Sequence, residues 1–276
     1  MSEQRALAFD CGGDTLYGVA HVPARPQARG VLVVVGGPQY RAGSHRQFTL
    51  LARSLAEQGV AAMRFDYRGM GDSEGAARDF ESVDEDLKAA IDTFLQQVPQ
   101  LREVVLWGLC DAASAAMLYA QGDARVTGLV LVNPWVRTEA GAAKATIKHY
   151  YRARLLEGAF WKKLVSGRFD LRAAARSFVG LLGAAKAAPQ TGGGTLPDRM
   201  HGAFDRFGGK ALVILSGADL TAREFEDLAD GSEKWKALMQ TPRITRRALP
   251  KADHTCSRRE WHEQVVRWTA DWVRSY

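Results

Sequence analysis

The stretch Gly108–Leu109–Cys110–Asp111–Ala112 places a thiol between two small residues. An apolar run, Val104–Trp107, ends just before it, and a small-residue helical stretch, Ala112–Ala120, begins at its far end. A strained strand-to-helix corner needs small neighbours, because strand and helix crowd each other there. In an open parallel sheet such corners lie outside the carboxyl ends of the strands, where reactive groups collect. The corner also sets the thiol at a helix N-terminus, whose dipole favours a thiolate. On these five residues alone an inert reading stands beside the chemical one, since cysteine is often a small buried side chain.

Two later segments supply partners. Gly217–Ala218–Asp219 follows the apolar run Ala211–Leu215, so its carboxylate falls at a strand's carboxyl end. Lys251–Ala252–Asp253–His254–Thr255–Cys256 forms a loop before the last helical stretch. The order Cys110, Asp219, His254 is nucleophile, acid, histidine, each after the element that would present it. The expected chemistry is attack by Cys110 on a carbonyl, with His254 moving the proton and Asp219 orienting the imidazole. Val33–Gly43 follows the first long apolar run and would carry the second oxyanion donor. Pro38 has no N–H, which leaves the Gln39 amide first and Gly37 second, acting with the Asp111 amide. Tyr40, His45, Arg46, Leu109 and Trp135 are expected to line the substrate pocket. The turn Phe65–Gly75 reads as a structural brace in which Asp66, Arg68 and Asp72 bond nearby backbone. His149 and His201 read as surface or packing residues.

The elements that must position these groups alternate strand with helix. Ala6–Phe9 and Leu16–His21 flank a Gly12–Gly13–Asp14 turn. Val31–Val35, Val60–Phe65, Val104–Trp107, Val126–Val132, Ala211–Leu215 and Ile244–Leu249 are strands of the continuous apolar kind that is buried on both faces. Phe48–Gln58, Val83–Val98, Ala112–Ala120 and Glu260–Arg274 have helical spacing. The expected fold class is therefore α/β, a mostly parallel sheet with helices on both faces. Residues 137–207 interrupt the alternation with alanine-rich, basic stretches. They read as a helical cap inserted between a first core part, 1–136, and a second, 208–276.

Composition narrows the function classes. The 276 residues and 46% hydrophobic content suit one domain with an insertion. The net charge of +6 admits an acidic partner, but basic and aromatic residues do not interleave as in nucleic-acid binding. The basic residues between Lys144 and Lys186 read first as a solvated face of the cap. They leave open contact with an anionic substrate, a phosphopantetheine carrier or a membrane surface. Three cysteines without a CxxC pair build neither a disulfide framework nor a zinc site. No basic-then-apolar leader opens the chain, and its apolar runs are too short to span a bilayer. The expected location is cytoplasmic, and the expected chemistry needs no metal or organic cofactor.

With these residues in view, the sequence resembles the α/β-hydrolase superfamily over nearly its whole length, the cap least. Within it, GGPQYRAGSHRQF (36–48), RFDYRGMGDSEG (64–75), WGLCDAAS (107–114) and LVNPWVRTEAGAAKA (131–145) resemble the exosortase A system-associated hydrolases of the hydrolase 1 type. That resemblance implies a cytoplasmic hydrolase encoded near an exopolysaccharide and protein-sorting system. Two positions depart from the pattern. Most relatives carry serine where Cys110 stands, although dienelactone hydrolases are similar in using cysteine. Gly36 replaces the usual histidine before the oxyanion glycine. The expected activity is hydrolysis of an ester or thioester, small or carrier-bound, through an acyl-enzyme. Two alternatives remain: acyl transfer from the same intermediate, and a binding protein on a hydrolase fold.

Overall fold

Continuous apolar runs become inner strands, and alternating ones become the solvated edge. The computed structural model describes residues 2–37, 39–136 and 194–276. Its strands are β1 (Glu3–Cys11), β2 (Asp14–Val22), β3 (Arg29–Val34), β4 (Ala62–Asp66), β5 (Glu103–Leu109), β6 (Val126–Val132), β7 (Lys210–Ser216) and β8 (Ile244–Leu249). They form one eight-stranded sheet in the order β1-β2-β4-β3-β5-β6-β7-β8. β1 and β2 pair antiparallel, as do β2 and β4, and every other pair is parallel.

The hairpin is longer than the apolar pattern suggests. β1 begins at Glu3, and its register runs Glu3↔Val22 to Cys11↔Asp14. A solvated edge strand tolerates the polar residues Glu3, Gln4 and Arg5, which hydrophobic patterning alone reads as loop. β4 starts two residues later than expected, because the Val60 amide bonds the Leu55 carbonyl and closes the preceding helix.

The described helices are α1 (Gln47–Glu57), α2 (Asp84–Gln97), α3 (Asp111–Tyr119), α4 (Leu196–Arg206), α5 (Leu220–Gly231), α6 (Glu233–Met239) and α7 (Arg259–Arg274). They cover the two faces unequally. α1 and α7 bury Phe48, Leu51, Leu55, Val265 and Trp272 with Val31, Val33, Trp107 and Val130 of the sheet. Leu87 and Phe94 of α2, Met117 of α3, Phe204 of α4, Phe225 of α5 and Trp235 of α6 fill the other core with Leu32, Leu106 and Val213. Residues 137–193 of the expected cap lie outside the described residues. Beyond them, Thr195 caps α4 reciprocally with Asp198, and Met200 and Phe204 are fully buried. His201 sits edge-on to Trp235 at 5.4 Å and takes a packing role.

The strand order reverses at β3. The chain leaves β3 for β4 on one side, and returns to β5 on the other. Parallel pairing puts Val34 beside Gly108. The loops after β3 and β5 therefore rise together at a topological switch point, where open α/β sheets form their crevice.

Candidate active site

Cys110 is the whole of the corner between β5 and α3, with φ 64° and ψ −125°. A non-glycine residue pays on the order of 1–3 kcal/mol for such backbone and keeps it only when its surroundings enforce it. Here they do. The Cys110 amide donates to the Val132 carbonyl at 2.9 Å, and the Cys110 carbonyl accepts from Ala113 at 3.1 Å and Trp135 at 3.2 Å. Gly108 is small for the reason the sequence suggests: a Cβ there would meet the carbonyl of Ala112 at 2.5 Å.

Asp219 follows β7 and caps α5. Its Oδ1 accepts from the Thr221 amide and its Oδ2 from the Ala222 amide, each at 3.2 Å. Those two bonds aim the carboxylate, and His254 Nδ1 lies 2.9 Å from Oδ2. Hydrogen bonding to Asp219 first, then to the Cys110 thiol, raises the His254 pKa to about 10 against the opposing cost of burial. The three residues that the sequence places in order are thus joined through the imidazole. Its Nδ1 faces the carboxylate, which leaves Nε2 as the ring's other polar atom.

A stability prediction follows from the sign of this shift. The folded pKa of His254 stands above the unfolded value near 6.5. The paired imidazolium therefore stabilises fully below about pH 6.5, and the contribution is lost as pH rises toward 10. With 34% of the side chain exposed, solvent screening keeps the effect small. Asp219→Asn keeps one of the two cap bonds, since its amide has a single acceptor oxygen, and that loss is the same at every pH. The Tm advantage of the parent over this variant should shrink between pH 6.5 and 10; parallel Tm curves would exclude the pair as its source.

The three thiols differ in access. Cys11 and Cys256 are 5% and 6% exposed, whereas Cys110 is half-buried. Burial raises the pKa of both hidden thiols, that of Cys256 to about 11. Iodoacetamide at neutral pH should add a single carbamidomethyl group, found by peptide mapping on Cys110. Comparable labelling of all three in the folded protein would count against a reactive corner.

The loop after β3 departs from expectation. The Gly37 amide is not free to hold an oxyanion: it donates to Asp111 Oδ2 at 2.7 Å. The same carboxylate accepts the Ala112 amide on Oδ1 at 2.9 Å. Burial raises the Asp111 pKa, and the amides of Gly37, Ala112 and Asp111 itself, with the His254 charge, work against that rise. Gly36 makes this arrangement possible, since a Cβ there would collide with Asp111 Oδ1 and the Ala112 amide. Of the expected donors, Gln39 has no hydrogen bond to its amide among the described residues, and its side chain accepts from Gln47 at 3.5 Å.

The remaining expected pocket residues scatter. Tyr40 is exposed and lies beneath the Arg41 guanidinium, 4.5 Å from its ring centre. His45 and Arg46 line an open cleft between α1 and α7 together with Thr255 and Cys256. Leu109 is only 4% exposed and packs in the α1/α7 core. Trp135 stands next to the corner through its bond to Cys110.

Two features escape the sequence pattern. Asp66 does bond its own turn, where the Ser73 hydroxyl reaches its carbonyl at 2.6 Å. Its carboxylate, however, takes the Arg41 amide at 2.6 Å and pairs with the Arg41 guanidinium, so it anchors the loop that carries Gln39. Arg68 is the brace expected, paired with buried Asp86 at 2.9 Å. The second feature is Asn133, whose side chain reaches the His254 carbonyl. An asparagine before proline at a strand end is its only sequence signal.

Residues 26–177, more than half of the chain, match the family described as serine aminopeptidase, S33. Among curated protein sequences, none matches. The fold is shared with an esterase, Pf2001, from Pyrococcus furiosus, at TM-score 0.67 and 12% identity, covering 100% of this chain and 93% of that one. It is also shared with a dienelactone hydrolase from Anabaena variabilis, at TM-score 0.63 and 16% identity, covering 100% and 98%. Est1E from Butyrivibrio proteoclasticus, solved with ferulic acid bound, aligns at TM-score 0.60 and 17% identity, covering 96% and 98%. At these identities the likeness concerns the fold. Among the described residues no helix is long and apolar enough to cross a membrane.

Proposed function

The chain belongs to the serine aminopeptidase S33 family of α/β hydrolases, and from that premise we propose that it cleaves carboxylic esters or thioesters through an acyl-enzyme on Cys110. The observation that carries this reading is the imidazole of His254, held at Nδ1 2.9 Å from Asp219 and influenced next by the Cys110 thiol. An esterase and a dienelactone hydrolase among the structural neighbours support it.

With its pKa near 10, His254 enters the reaction as imidazolium. The Cys110 thiolate attacks the carbonyl carbon, a C–S bond forms, and the carbonyl electron pair moves to oxygen. The Gln39 amide and the Asp111 amide, the latter on leaving its own carboxylate, hold that oxyanion, and removing one such donor costs about 3 kcal/mol. Collapse breaks the bond to the leaving alcohol or thiol, which takes the His254 proton. The neutral imidazole then draws a proton from water as the water attacks the thioester. A second collapse expels Cys110 as thiolate, releases the acid and restores the ion pair. Asp219 keeps Nδ1 bonded throughout, so that Nε2 handles the proton.

The stretches GGPQYRAGSHRQF and LVNPWVRTEAGAAKA support a finer reading, in which the acyl substrate belongs to a cytoplasmic step beside an exopolysaccharide and protein-sorting system. The test is intact-mass analysis after incubation with p-nitrophenyl esters and N-acetylcysteamine thioesters of graded chain length. One acyl mass per chain, removable by hydroxylamine, is expected for the chain lengths that fit. Neither adduct nor turnover across both panels would overturn the proposal.

A further inference from the structure

Asn133 follows β6 directly and is completely buried, with φ 48°. Asparagine is one of the few side chains that visits this left-handed region readily, and here the conformation turns its amide back across the sheet end. Oδ1 accepts from the Ser216 amide at 2.8 Å. Nδ2 donates to Ser216 Oγ and to the His254 carbonyl, each at 3.0 Å. Every polar atom of the side chain is therefore engaged, and one bond reaches the residue whose ring meets Cys110. Among the described residues it is the one hydrogen bond recorded to the His254 main chain; other ties of the loop are at Ala252, Asp253, Cys256 and Ser257. Two residues on, Trp135 donates to the Cys110 carbonyl at 3.2 Å, while its own carbonyl accepts Ser114 Oγ at 2.6 Å. A segment of three residues thus holds the backbone of both Cys110 and His254.

We infer that Asn133 is a positioning residue: it fixes the His254 main chain, and the segment 133–135 sets the spacing between the imidazole and Cys110. The inference rests on the acyl-enzyme reading above. Its physical content is alignment. A displacement of about 1 Å in a catalytic group can cost on the order of 100-fold in rate. The groups facing the imidazole are Asp219, Cys110 and the Asp111 carboxyl, and none of the three has a side-chain bond to Asn133.

Two variants separate alignment from stability. Asn133→Asp is isosteric and keeps an acceptor for the Ser216 amide, but a carboxylate cannot donate to the His254 carbonyl. Asn133→Gly permits the positive φ and removes the side chain without adding charge. Each is compared with the parent and with His254→Ala by three measurements: Tm, kcat and KM for p-nitrophenyl acetate, and iodoacetamide alkylation of Cys110 against pH. Both variants should lower kcat on the order of 100-fold with KM within about threefold. Their alkylation profiles should move from the parent's toward that of His254→Ala. A merely structural role lowers Tm and leaves the profile of the folded fraction where it was. Parent-like kcat and profile in either folded variant, with His254→Ala distinct, would overturn the inference alone. Coincidence of the parent with His254→Ala would remove the acyl-enzyme reading, and the role of Asn133 with it.

Discussion

Cys110→Ala should lose acyl-enzyme formation altogether and lower turnover by at least roughly four orders of magnitude. The size of the effect follows from what disappears. Alanine leaves no atom able to form the covalent bond, and only binding and the oxyanion donors remain, which by themselves supply a small part of the rate. The fold should survive. The corner is held by main-chain bonds to Val132, Ala113 and Trp135, none of which uses the thiol. Alanine also fits where cysteine did, although it inherits the same strained φ of 64°. The measurement is intact mass after incubation with p-nitrophenyl acetate, alongside a thermal melt. A variant that melts like the parent and still gains an acetyl group would place the nucleophile elsewhere.

His254→Ala is the second large effect, and its signature is the shape of a pH profile rather than a simple loss. In the parent, the imidazole is tied to Asp219 and to Cys110, and is charged across the neutral range. Removing it takes away both the cation beside the sulfur and the proton donor for the leaving group. Turnover should fall by about three orders of magnitude or more, in the range seen when one member of such a unit is deleted. Alkylation of Cys110 should slow most on the acid side, where the parent still has its cationic partner. The variant's profile should rise only at higher pH. Profiles that coincide would show that the two residues do not interact, and the acyl-enzyme reading would fall.

Much of this arrangement is legible in the sequence, for reasons that differ between residues. The inner strands announce themselves because a strand buried on both faces has to be continuously apolar, as in Val31–Val34 and Leu129–Val132. Cys110 is legible because its turn imposes small residues on both sides, a local constraint. Asp219 and His254 are legible because each sits directly after or before an element whose periodicity is clear. Legibility stops where a side chain's partner is set by the sheet order instead of by neighbours in the chain. The Gly37 amide meets the Asp111 carboxylate only because β3 lies beside β5. Asp66 reads as a turn residue, yet its carboxylate holds Arg41 on another loop. Asn133 reaches His254 across 121 positions of sequence, and no local pattern encodes that. Leu109 precedes the nucleophile but belongs to the strand, so it joins the α1/α7 core and lines a small cavity there beside Cys256.

The absence of room for a side chain at Gly36 carries a consequence for descent. A Cβ at position 36 would meet both the Asp111 carboxylate and the Ala112 amide, so the corner admits only glycine there. A lineage holding this corner cannot place a histidine at position 36 in one step, since its Cβ alone would meet the Asp111 carboxylate and the Ala112 amide. Shortening the residue after the nucleophile would give up the bond that steadies Gly37 and still leave the Ala112 amide in the way. A change at position 36 is therefore conditioned on the backbone of the corner as well as on residue 111.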